Sequence, residues 1–266
     1  MLPVVPESAA PSVPKSRTKI GATAVGAAAL AAKFFKFVLI PFKFLGLGKF
    51  WITGLSMLVM IWTQASLHGW PFGVGFVLLI LVHEMGHALE IRRSGLDAGW
   101  PVFIPFVGAF IRMRGAIVDV ATEARIGIAG PIAGGAASLF CYVVGHAAAS
   151  PLLVALANVG FFLNLFNLLP IRPLDGGRVF AAVSRKGALV GLGLLVVAFF
   201  FTASPFLLLI AVMAGMSYVQ ERNRPPADAE RYYSLSPQAR VTWAVLYFGL
   251  VLALGTGTYF TYGHLS

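Results

Sequence analysis

Charge is scarce in this chain. Only 11% of its 266 residues are Asp, Glu, Lys or Arg, where a soluble domain carries roughly a quarter. So little charge cannot cover a water-exposed globular surface, and with 58% hydrophobic residues the bilayer becomes the expected solvent. Cysteine is nearly absent too. The single Cys141 sits in an apolar run and excludes an intrachain disulfide, so oxidative stapling plays no part in the fold. Acidic residues number ten against twenty basic ones, leaving a net charge of +10. In a soluble protein that excess would raise nucleic acid as a partner; here orientation in a membrane accounts for it, and no nucleic-acid partner is expected. Internal repeats of solenoid length are also missing.

What is present is a series of apolar runs near the roughly 20 residues that a helix needs to cross the hydrocarbon core. They predict about seven transmembrane helices: Phe50 to Leu67, Phe72 to Ile91, Ile126 to Ala149, Leu152 to Leu169, Gly187 to Ala203, Pro205 to Val219 and Val241 to Thr261. The fold class is therefore an all-α polytopic membrane protein. With the amino terminus inside, the inner segments hold all twenty Lys and Arg, while the turns near His68, Ser150 and Ser204 and the tail after Thr261 hold none. Basic residues are retained on the cytoplasmic side during insertion, so this asymmetry predicts both the number of spans and their direction. His68, His146 and His264 then fall on the outer side.

Organisation follows from these spans. Residues 1–19, rich in Pro, Ser and Ala, read as a disordered cytoplasmic tail. Residues 20–49 carry Lys33, Lys36 and Lys43 among Phe, Leu and Val, the pattern of a basic amphipathic helix on an anionic surface. A transmembrane core covers 50–219. A cytoplasmic loop with Pro225, Pro226 and Pro237 covers 220–240, and 241–266 holds the last span and an outer tail. Between the second and third spans, Trp100 to Val118 has too many Pro, Gly and Arg for a crossing. Its β-branched and aromatic residues predict a short membrane-associated hairpin. Phe106 and Val107 are expected on a strand edge, where proline would remove a backbone donor.

Chemistry concentrates in the second span, which contains His83, Glu84, Met85, Gly86 and His87. Two histidines four residues apart lie one turn apart on one helix face, so both can reach one Zn²⁺ at about 2.0 to 2.1 Å. Glu84 stands beside them, able to take a proton from a water molecule that the metal has acidified. An ionisable group at the centre of a span costs about 2.5 to 3.5 kcal/mol, so three together call for a function beyond polar contacts between helices. Zinc hydrolases keep three protein ligands. Near the end of the fourth span, Asn164, Asn167, Pro170 and Pro173 lead to Asp175, Gly176 and Gly177. Prolines break the helix and glycines allow close approach, so Asp175 can be aimed back into the bundle at the depth of the histidines. The alternative is a capping or turn carboxylate.

The two segments together resemble the site-2 protease family of intramembrane zinc metalloproteases. The HEMGH motif at 83–87, the N-x-x-P-x-x-P-L-D-G-G motif from Asn167 to Gly177 and the glycine-rich Gly130 to Gly134 stand in the family's order, over about Phe72 to Arg178. The resemblance implies one Zn²⁺ per chain held by His83, His87 and Asp175, with Glu84 as catalytic base. It implies that Asn167 polarises the substrate carbonyl or braces the site, with Asn164 as a further helper, and that the bend at Gly130 to Gly134 opens the middle core helix. Val102 to Ile111 corresponds to the family's membrane-associated strands, which pair with an unwound substrate. The expected partners are a membrane-protein substrate with a transmembrane helix and the lipid bilayer; the expected setting is a bacterial cell membrane. Neither a PDZ nor a paired nucleotide-sensing domain, which some relatives of that family carry, is expected within these residues. Two other classes would also bury histidines and a carboxylate: a membrane transporter with a zinc site, and a catalytically silent chaperone. One copy of each motif argues against the first, and the presence of Glu84 against the second.

Overall fold

A computed structural model describes residues 48–117 and 119–264. The chain divides into two compact units, 1–51 and 52–266. Of the first, only Gly48 to Trp51 are described, as the opening turn of a helix. The expected tail at 1–19 and nearly all of the amphipathic segment at 20–49 lie outside the described residues.

Among the described residues the elements run α1 (Gly48–His68), α2 (Trp70–Arg93), β1 (Asp97–Ile104), β2 (Gly108–Arg114), α3 (Val120–Ala147), α4 (Pro151–Asn167), α5 (Asp175–Val183), α6 (Gly187–Thr202), α7 (Pro205–Arg222), α8 (Pro226–Tyr232) and α9 (Pro237–Gly263). Each of the seven apolar runs coincides with a helix. Four of them, α1, α2, α3 and α9, are long and apolar enough to cross a membrane by length and composition; α4 and α6 are shorter apolar helices. The turns between them follow local chemistry. Proline opens α2, α4, α7 and α9 in the first turn, where its missing N–H has no partner to lose. Ser150 and Ser236 cap α4 and α9, and Asp119 caps α3 by accepting from the Thr122 amide at 2.7 Å.

Three details differ from the sequence reading. First, α3 begins at Val120 and runs as one helix through Gly130 to Gly134, so no bend opens it there. The Asp119 cap sets its start, and the helix continues through Pro131, which leaves out only its own backbone donor. Second, the segment expected as a plain loop at 220–240 holds the last turn of α7 and the short α8. Third, β1 and β2 form the expected antiparallel hairpin, but Phe106 and Val107 lie in its turn and not on a strand edge. Phe106 has φ +64°, which proline's fixed φ of about −65° cannot adopt. Proline at 106 would therefore break the turn whatever the strand edges do.

α3 is the central helix, packed along α2 and α4 and reached by α5 and α9. One buried cluster joins Ile128, Ala157, Phe161, Leu168, Val179, Tyr247 and Leu254. Another joins α1, α2 and the hairpin through Met60, Phe76, Val77, Leu79 and Phe103. The hairpin is tied to α1 where Thr53 donates to the Pro101 carbonyl at 2.7 Å and the Phe103 amide donates to Ser56 at 3.2 Å.

Candidate metal centre

His83, Glu84 and His87 are all buried on α2. The helical register puts the two imidazoles on one face with their Nε2 atoms 3.1 Å apart. Asp175 is the first residue of α5, and its Oδ2 lies 3.2 Å from His83 Nε2 and 3.1 Å from His87 Nε2. The three donor atoms thus converge on one point.

The far side of each imidazole is held by an acceptor. His87 Nδ1 lies 2.7 Å from the Ile126 carbonyl, which can only accept, so that nitrogen carries the proton. His83 Nδ1 lies 2.8 Å from Asn164 Oδ1. The Asn164 amide nitrogen donates to the Gly160 carbonyl at 2.7 Å, which turns the oxygen toward His83 and makes it the acceptor. Both Nε2 lone pairs are therefore free and aimed at the carboxylate. Two neutral imidazoles and one carboxylate, with ring tautomers fixed from behind, suit a zinc ion with a fourth position left open.

Space for this arrangement comes from α3. A Cβ on Gly130 would run into the His87 ring, and one on Gly134 into the Asn164 amide. The two positions are one turn apart on the face that meets α2 and α4, so the glycine spacing is a packing requirement of the site. Asn167, the last residue of α4, makes no hydrogen bond to either histidine among the described residues. It lines a cavity of about 540 Å³ together with His83, Glu84 and Asn164. The hairpin turn at Phe106 to Ala109 and the α6–α7 turn around Ser204 close other sides of that cavity.

The bend from Leu168 to Leu174 carries Asp175 and is held on two sides. The Tyr247 hydroxyl donates to the Leu168 carbonyl. Arg172 pairs with the buried Glu123 of α3, whose carboxylate also accepts from Tyr232 of α8. Arg172 reaches Glu221 as well, at 3.8 Å, and Glu221 pairs with Arg224 at 3.2 Å. Tyr233 donates to Glu221 Oε1 at 3.0 Å. Burial, with the Glu221 carboxylate beside it, pushes the Tyr233 phenol up to about 12, so it remains a donor across the physiological range. Sequence reasoning missed this polar cluster. Arg172 sits within the Asp175 motif, but Glu123 and Tyr232 lie far from it along the chain.

His68, His146 and His264 lie at the ends of α1, α3 and α9 away from the metal donors. His146 and His264 meet edge to face with ring centroids 5.7 Å apart.

Comparison with known proteins finds similarity to peptidases and zinc metalloproteases. The model of peptidase family M50 matches residues 71–151, which cover α2, the hairpin and α3. A zinc metalloprotease of Methanocaldococcus jannaschii is 29% identical over 155 residues, covering 54% of this chain and 45% of that protein. An Arabidopsis thaliana protein named as a probable chloroplastic zinc metalloprotease is 28% identical over 172 residues, covering 47% of this chain and 31% of its own length. The chain thus spans less than half the length of these curated relatives. The solved site-2 protease from Methanocaldococcus jannaschii superposes with a TM-score of 0.43 at 21% identity, covering 68% of this chain and 87% of that one.

Proposed function

We propose, from the likeness of residues 71–151 to peptidase family M50 and of a longer stretch to a zinc metalloprotease, that this chain is a zinc metalloprotease of the site-2 type and hydrolyses peptide bonds in or near transmembrane segments. The observation that carries the reading is the convergence of His83 Nε2, His87 Nε2 and Asp175 Oδ2 beside a buried glutamate and an open cavity. These three residues would hold one Zn²⁺. The chemistry that the ion supplies when bound there is Lewis acidity, which polarises a peptide carbonyl and makes water acidic enough to attack at neutral pH.

The chain's own residues do the rest. Glu84 accepts the proton of the attacking water on its carboxylate and delivers it to the leaving amine. Asn167, whose amide lines the cavity, donates to the carbonyl oxygen as negative charge develops there. Asn164 keeps His83 in the tautomer that presents Nε2. A transmembrane helix hides its peptide bonds in internal hydrogen bonds, so the substrate must unwind locally. The cavity between α2, α4 and the hairpin turn has the size to receive such an extended segment.

Purified full-length protein is expected to cleave a reporter carrying a transmembrane helix, to stop on chelation and to recover on zinc addition. Cleavage that survives complete zinc removal would reject the reading. The substrate is a membrane protein, and the protease sits as a multi-pass protein in a bacterial cell membrane with its amino terminus in the cytoplasm; the distribution of all twenty basic residues supports this orientation. Reporter fusions after Gly69, Ser150 and Ser266 are then expected outside, and fusions after Arg93, Arg185 and Arg224 inside. An inside signal at Ser266 would overturn the odd number of crossings.

A further inference from the structure

A second cavity, of about 270 Å³, opens at the basic end of the helices, enclosed by α5, α6, α7 and α8. Four charged side chains face it. Arg172 and Glu221 are already matched, the first to Glu123 and Glu221, the second to Arg224 and the Tyr233 hydroxyl. Arg185 and Arg222 have no carboxylate partner among the described residues. Arg185 is held in place, with its guanidinium 4.7 Å from the Tyr233 ring centroid and Nη2 3.5 Å from the Ala229 carbonyl. Ser217 and Tyr218 line the same space, and neither hydroxyl has a hydrogen-bond partner among the described residues. Two planar cations without a carboxylate partner, with two hydroxyl-bearing residues in the same lining, suit a phosphate group whose unesterified oxygens accept hydrogen bonds.

The lining also has an apolar part, which includes Leu192 and Ala214. On the same two helices, α6 and α7, Leu189, Val190, Met216 and Val219 are exposed. A ligand with a phosphate at one end and hydrocarbon at the other matches both halves. We infer that this cavity binds the phosphate of an anionic phospholipid headgroup, with the acyl chains along α6 and α7. The inference rests on the reading of the chain as a membrane protein. Ile171, Arg172 and Gly177, which flank Asp175 in sequence, also line the cavity. A bound headgroup would thus brace the bend that carries the third metal donor.

The test is native mass spectrometry of the full-length protein in detergent, titrated with phosphatidylglycerol or phosphatidylcholine, with inorganic phosphate as competitor. Phosphatidylglycerol is expected to bind in preference. Affinity should fall about fivefold in Arg185→Gln or Arg222→Gln and about twenty-five-fold in the double variant, at about 1 kcal/mol per arginine. Arg231→Gln, at the same end but outside the cavity, should bind as the parent does. His83→Ala should keep the lipid while losing cleavage, so failure of the protease reading would not be mistaken for failure of this one. Competition by inorganic phosphate without any phosphatidylglycerol binding would reject the lipid and leave a soluble phosphate compound as the ligand. Equal binding of phosphatidylglycerol by parent and double variant, with zinc content unchanged in both, would overturn the site.

Discussion

Glu84→Gln is expected to retain its zinc and to lose cleavage by about 10²- to 10⁴-fold, the contribution of a positioned general base. The amide has nearly the volume of the carboxylate, so α2 keeps its packing and the neighbouring histidines keep their tautomers. Those are set by hydrogen bonds to Asn164 and the Ile126 carbonyl, in which position 84 takes no part. What is lost is the proton acceptor alone. Zinc stoichiometry and cleavage rate measured on the same preparation separate the possibilities. Loss of zinc along with activity would make Glu84 a structural support of the centre, and unchanged cleavage would assign the base to another residue.

Asp175→Ala should lose both zinc and cleavage. The substitution removes the only oxygen donor of the three convergent atoms and leaves two imidazole nitrogens 3.1 Å apart with nothing opposite them. The fold should survive, because the bend is tied by Tyr247 to Leu168 and by Arg172 to Glu123 independently of the carboxylate. Asp175→Asn is the sharper companion. It preserves shape and one oxygen but removes the charge, so zinc should bind more weakly than in the parent and better than in the alanine variant. Full occupancy in Asp175→Ala would falsify the ligand assignment and return the residue to a turn role. Circular dichroism of both variants guards against misfolding as the cause.

These two residues also mark how far the sequence could be read. His83, Glu84 and His87 were legible because a helix imposes its own period: four residues make one turn, whatever surrounds the helix. Their position in an apolar run added a cost that only function explains. Asp175 was legible as a carboxylate on a Pro and Gly bend, but that pattern fits a cap as well as a ligand. The choice depends on where the bend lands relative to α2, which local residues do not encode. Asn164 and Asn167 show the same limit. They sit three residues apart on one helix, and only the packing of α4 against α2 and α3 puts Asn164 behind His83 and leaves Asn167 at the cavity wall.

Composition and periodicity by themselves determined the apolar helices, the hairpin between the second and third of them and the pair of imidazoles on one face of α2. Each is a property of a short stretch of chain, set by backbone geometry and by the cost of burying polar groups. The tertiary structure alone decided that Gly130 and Gly134 clear room for the site, that Phe106 occupies a positive-φ turn, and that Glu123, Arg172 and Tyr232 meet around the Asp175 bend. Those residues come from elements far apart in sequence. Their contacts follow from helix packing, a long-range result of shape and volume that no local pattern carries.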